Sequence, residues 1–300
     1  MTIQTKIASP LSRTTVLVSV KISQWTARKL DKEITDETNK RYSASLDAGR
    51  YNKLLIDAKR LAEINKIVGE ARKLHYTLTR PWLDEGTRIL PNVLYSKFTD
   101  EFRVLKRDFQ RAVDAFVAGY PTFVEERKIA LNGAFKESDY PSVNEIRNKF
   151  ALDIVVLPFP DADDFRSNLP DEVVSDIKQE IAETGESAVT EAMKATFKQI
   201  VDVVGHMSTK LHEYDPYERV VEGEKRKHFR DSLVENVRDL ADLLPAFNLT
   251  NDSRLTKVTD RIVQELCVED AKVLRISEFA RDAVAKSADE IVAEVEKFFG

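Results

Sequence analysis

The sequence predicts a mainly α (α+β) protein: an elongated bundle of coiled-coil-like helices with a small two-stranded antiparallel sheet in its N-terminal half. Three observations predict it. Of 300 residues, 32% are charged and only 9 are Gly and 10 Pro, a composition of long helices rather than of a loop-rich β fold. Apolar residues recur at steps of three and four over long stretches. Only two segments alternate as strands do.

The first strand is "TTVLVSVKI", residues 14–22, with Val16, Val18, Val20 and Ile22 on one face. The second is "KFALDIVVLPF", residues 149–159, with Phe150, Leu152, Ile154 and Val156 on one face and Pro158 and Pro160 at its end. Pairing them closes a long helical excursion. Trp25 follows the first strand directly and reads as a core anchor. In the excursion Leu61, Ile64, Val68, Ala71 and His75 form one helical stripe. Phe98, Phe102, Leu105, Phe109, Ala112 and Phe116 form a second. Thr122 with Glu125 and Ser142 with Glu145 have capping-box spacing and mark helix starts.

Beyond the second strand, "PFPDADDFRSNLP" reads as a linker, and Pro170 suits the first turn of the helix after it. Met193, Phe197, Ile200, Val204, Met207, Leu211 and Tyr214 make three heptads of one apolar stripe. Gly185 and Gly223 read as breaks, and further helices run over about 229–244, 255–268 and 270–299. The expected organisation is a basic α+β domain over residues 1–160, a linker over 161–170 and an acidic helical domain over 171–300. Residues 1–150 carry a net charge of +8 and residues 151–300 one of −13. Opposite signs let the halves attract each other or a second copy, and a basic half also suits an anionic partner.

Several chemistries find no support. Neither a Walker loop nor a dinucleotide fingerprint occurs. His206 and His212 are six apart and point outward in the heptad phase, so they do not form a zinc site. Asp161, Asp163 and Asp164 lack the glycine turn and distal Glu of a calcium loop and read as solvated linker. The single cysteine, Cys267, excludes an internal disulfide framework, fits a reducing cytoplasm and lies in an apolar helical pattern as a small hydrophobe. No catalytic triad can be assembled from one cysteine and four scattered histidines. No metal, cofactor or catalytic residue is therefore expected. The N-terminus "MTIQTKIASPLSRTT" lacks a signal-peptide h-region and no apolar run reaches membrane length, so a soluble intracellular protein is expected.

Two groups of candidate contacts remain. "HYTLTRPWLDEGTRILP", residues 75–91, reads first as a stiff corner: Pro81 ends a helix, with Thr79 and Arg80 in its last turn. Gly86 turns the chain, and Trp82 pins two helices at the bend. His75 is a core histidine, and Asp84 and Arg88 are spaced to pair. As a binding surface it would use Trp82, Asp84 and Arg88. The basic candidates are Arg28, Lys29 and Lys32, together with Lys225, Arg226, Lys227 and Arg230 of "EKRKHFR", where Phe229 could stack on a base.

Three blocks, "VLVSVKISQWTARKLDKEIT", "HYTLTRPWLDEGTRILP" and "IRNKFALDIVVLPFPDADDFR", resemble a family of proteins of unknown function encoded by tailed bacteriophages and prophages. That family is associated with phage genes for AAA+ ATPases of the chelatase-like class. The resemblance spans most of the chain, is strongest over residues 14–170 and carries no catalytic residues. It implies the cytoplasm of an infected bacterium. The leading expectation is a non-enzymatic phage protein acting through protein–protein interaction: a scaffold, an ATPase adaptor or an antagonist of a host factor. The alternatives are a nucleic-acid-binding protein of phage replication or recombination, and an enzyme with an unrecognised site.

Overall fold

The computed structural model describes residues 11–83, 86–216 and 229–298. It is mainly α with two small sheets. The strands are β1 (Thr15–Ser23), β2 (Arg28–Leu30), β3 (Asn52–Leu54), β4 (Arg80–Pro81), β5 (Thr87–Pro91) and β6 (Ala151–Pro158). The helices are α1 (Lys32–Arg41), α2 (Ala62–Leu78), α3 (Asn92–Leu131), α4 (Val143–Arg147), α5 (Asp171–His212), α6 (Ser232–Phe247), α7 (Ser253–Arg261), α8 (Ala271–Ile276) and α9 (Glu278–Glu296). Among the described residues no helix is long and apolar enough to cross a membrane.

The two strands expected from alternation, β1 and β6, are neighbours in one sheet. That sheet has four strands rather than two, in the order β4-β5-β1-β6, and β2 and β3 form a second, antiparallel ribbon. The added strands have two to five residues, too few for an alternation to stand out in sequence.

The chain forms two compact units that are not consecutive stretches. The first gathers residues 1–18, 78–96 and 156–300, and the second residues 19–77 and 97–155. The expected linker at 161–170 thus lies within the first unit rather than dividing two. Its flank is anchored: the Phe159 ring meets Trp82 edge-on, centroids 5.1 Å apart, in a small core with Leu11, Leu17, Ile89, Val189 and Ala192. Asp161 accepts from the Ser12 hydroxyl and from the Asp163 amide.

The main core of the first unit follows the predicted heptads. Met193, Phe197, Ile200, Val204, Met207 and Leu211 of α5 pack with apolar residues of α6, α7 and α9. Tyr214 lies just past the end of α5, packed against the same core. Cys267 also packs there, and burial pushes its thiol up, away from nucleophilic use. Gly185 does not break the helix, because α5 runs through it with the Phe159 ring beside it. A methyl at Gly185 would stand 3.7 Å from that ring, an ordinary contact. Gly185→Ala is therefore expected to stabilise the protein by about 0.5–1 kcal/mol, seen as a higher thermal midpoint. A lower midpoint would mean that the small-residue contact with Phe159 is what holds this part of α5.

The expected helix over 270–299 is divided at Ser277, which is extended and caps α9 through its hydroxyl on the Ala280 amide. The segment 255–268 is α7 followed by a π turn at Ile262–Leu266. The break expected at Gly223 lies outside the described residues.

In the second unit the stripes of α2 and α3 are buried, with Leu105 and Ala112 partly so. Trp25 sits against the rings of Phe116 and Tyr120, at 6.3 and 5.8 Å. Ser142 and Glu145 form the capping box that starts α4. Thr122 does not start a helix, because α3 continues through Pro121. The missing backbone donor of Pro121 is outweighed by contacts on both sides of it. Phe116 meets Tyr120 and Phe123, the Tyr120 hydroxyl donates to the Pro141 carbonyl, and Arg60 lies over Phe123.

Candidate functional site

The stretch 75–91 holds the end of a helix and two paired strands, not a bend made of helices alone. α2 ends at Leu78, so Thr79 and Arg80 lie beyond it, and β4 pairs antiparallel with β5, Arg80 opposite Ile89 and Pro81 opposite Arg88. Pro81 accepts this place because β4 is the edge of its sheet. Trp82 is half-buried against Phe159 and takes part in the core, not in an open surface. Arg88 donates from Nε to the Thr79 hydroxyl at 2.7 Å. Asp84, and with it the proposed Asp84–Arg88 pair, lies outside the described residues. His75 is buried beside the Tyr76 and Phe98 rings, as a core histidine would be.

The residue of this stretch that sequence reasoning missed is Arg80. Its side chain is 3% exposed and its guanidinium lies 3.3 Å from the centre of the Phe247 ring. It donates to the Thr196 hydroxyl at 2.7 Å, to the Gln199 side-chain oxygen at 2.6 Å and to the Thr79 carbonyl at 2.9 Å. Among the described residues no carboxylate forms an ion pair with it. Burial and the nearby Arg88 push its pKa down to about 9. Arg80 remains a cation at neutral pH, joined by its rigid fork to α5 and by its face to α6.

A second polar centre lies in the second unit. Lys53 of β3 is 1% exposed. Its ammonium meets Asp31 at 2.8 Å, Asp139 at 2.6 Å and the Ala134 carbonyl at 2.9 Å. Lys29 reaches Asp139 from the surface at 2.8 Å. Asp31 also accepts from the Ile34 amide and so caps α1. The sequence holds a faint sign of this: Lys53 shares strand parity with Leu55, which is buried. Hydrogen bonds from Lys53 and the Ile34 amide hold Asp31 below its ordinary pKa. Burial alone would raise Asp139, but Lys29 and Lys53 overcome it and lower that carboxyl too. Burial opposes the charge of Lys53, yet its two carboxylates raise it above the ordinary lysine value.

Beside this network an open groove of about 490 Å³ is lined by Ser138, Asp139, Tyr140, Glu145, Asn148 and Lys149. Glu145 is engaged by the Ser142 amide and hydroxyl, which lower its pKa. A general acid or base works best with a pKa near the working pH. Asp31, Asp139 and Glu145 are shifted down and Lys53 up, away from that range. Chemically, the centre is a set of locked ion pairs.

The basic candidates are divided between the two units. Arg28 and Lys32 are exposed in the second unit, while Lys29 is engaged by Asp139. Arg230 is exposed in the first unit, and Lys225, Arg226 and Lys227 lie outside the described residues. Phe229 cannot serve as a stacking platform: it is 4% exposed, edge-on to Tyr214 at 4.9 Å and under the Arg275 guanidinium. Among the described residues no cluster of His, Cys, Asp or Glu is placed to hold a metal ion; His206 is exposed and His212 bonds Asp289 at 2.9 Å.

The two most exposed large apolar side chains among the described residues flank the break at Ser277. Ile276 is 86% and Phe279 87% exposed, and Val273 of α8 is 40% exposed. The expectation of a third continuous helix concealed this patch, because an unbroken helix places 276 and 279 at ordinary stripe spacing. No family model, no curated protein and no solved structure matches the chain.

Proposed function

We propose that the protein is a non-enzymatic bacteriophage protein that works in the host cytoplasm by binding another protein. The observation that carries the reading is the open trio Val273, Ile276 and Phe279. Large apolar side chains left in water within a few residues of one another on a charged helical segment favour a partner that covers them. A phenylalanine with its whole ring available is an apt anchor for a partner's pocket. The phage setting rests on the resemblance of three sequence blocks, and it makes a chelatase-like AAA+ ATPase, a host factor or a second copy the candidates. The locked ion pairs around Lys53 support a binding role over catalysis.

The test is recovery of a tagged copy from phage-infected cells, with and without nuclease, followed by mass spectrometry. Wild type should retain a discrete protein through nuclease treatment, and Ile276→Asp with Phe279→Asp should lose it while keeping its melting temperature. Equal recovery by wild type and the double variant would remove the patch from consideration. The exposure of Arg28 and Lys32 favours a second reading, contact with nucleic acid. It requires partners that vanish with nuclease and binding that weakens steeply with salt.

A further inference from the structure

The structure assigns an oxyanion site, suited to a phosphate group, to the groove between the last turns of α5 and the first turns of α6. The groove holds about 210 Å³. His206 and Lys210 of α5 line it on one side, and Arg230, Ser232 and Asn236 on the other. Phe229 and Leu233, both buried, complete the lining. Among the described residues no carboxylate belongs to that lining. Its polar side chains thus include two fixed cations, an imidazole, a hydroxyl and an amide, all able to donate.

Such a set exceeds what one carboxylate can use and matches the several acceptor oxygens of a phosphate. The size argues the same way. A space of about 210 Å³ lies below the roughly 300 Å³ at which pockets for drug-sized ligands begin, so the group enters and the molecule bearing it stays outside. A nucleobase would find no platform, because the Phe229 ring is already edge-on to Tyr214. The phosphate can come from two sources, a free phosphate or monoester and the backbone of a nucleic acid, and both present the same oxygens.

One neighbour opposes the ligand. Lys210 is held by Glu213, one turn further along the chain, at 2.7 Å. A bound phosphate must share the ammonium with that carboxylate. Removing the charge of Glu213 should therefore strengthen binding, which a merely structural groove would not show. This site uses none of Val273, Ile276 and Phe279 and stands without them.

The experiment uses the full chain and two probes: inorganic phosphate followed by calorimetry, and a fluorescein-labelled single-stranded oligonucleotide followed by anisotropy. Wild type should bind inorganic phosphate saturably, and Arg230→Ala and Lys210→Ala should each weaken binding about tenfold or more. Glu213→Gln should tighten it severalfold. Oligonucleotide binding that inorganic phosphate displaces and Arg230→Ala weakens would make nucleic acid the source. Phosphate binding with no oligonucleotide binding would make it a free phosphate or monoester. Absence of both, or binding that ignores all three substitutions, would overturn the site. All three replaced residues lie at the surface, and circular dichroism checks that the helices persist.

Discussion

Lys53→Met is expected to destabilise the protein by about 3–5 kcal/mol, read as a lower urea midpoint with an unchanged slope. The substitution keeps the aliphatic volume and removes the charge. Asp31 and Asp139 then remain buried without the ammonium that joined them, Asp31 keeping the Ile34 amide and Asp139 keeping Lys29. A buried carboxylate that loses its partner keeps its desolvation cost and loses the attraction that offset it. The triple variant Lys53→Met, Asp31→Asn, Asp139→Asn should recover most of the loss, since asparagine can still cap α1. A single variant as stable as wild type would show that the network contributes nothing.

The same network sets a pH profile. Asp31 and Asp139 have folded pKa values below the ordinary 3.8. Their contribution is complete above that value and disappears as pH falls through the folded values. Lys53 is raised above 10.5, so its contribution is complete below 10.5 and is lost as pH rises through the folded value. Stability from this centre should be level between those limits and fall on both sides. In the Lys53→Met variant the acid limb should flatten or reverse, which urea titrations from pH 2.5 to 7 would reveal.

Arg80→Ala should lose about 3 kcal/mol or more, again by urea unfolding. Truncation leaves the Thr196 hydroxyl, the Gln199 side chain and the Thr79 carbonyl without the guanidinium that served all three. It also uncovers the Phe247 ring. Arg80→Lys should recover little, because an ammonium cannot donate along three fork directions and lie flat on a ring together. Full rescue by lysine would show that charge alone matters here.

What could be read from sequence follows from what creates a pattern. The stripes from Leu61 to His75 and from Met193 to Leu211 are long, and each turn repeats the signal, so burial agrees with them. β1 and β6 are eight or nine residues long and alternate, and they pair as expected. β4, with two residues, carries no period, and its Pro81 looked like a helix terminator when it is an edge-strand proline. Gly185 and Thr122 gave correct local signals that tertiary contacts overrode, through Phe159 at one and the rings around Pro121 at the other. The Lys53 network joins residues 31, 53, 134 and 139, distances along the chain over which no spacing rule operates. Arg80 was visible as an arginine, but its partners Thr196 and Gln199 lie more than 100 residues away. Phe279 was visible as a phenylalanine, but not its exposure in the first turn after the break at Ser277.

The interleaving of the two units also has a consequence for synthesis. A ribosome releases the strands and helices of the second unit by residue 155, whereas the first unit requires residues 156–300. At roughly 5–20 residues per second, the segments 11–18 and 78–96 wait on the order of ten seconds for the helices that cover them. Leu17 and Ile89, later enclosed with Phe159 and Val189, are exposed to water through that interval. Nascent chains stalled near residue 160 should therefore engage chaperones through these two segments, and chains released beyond α9 should not.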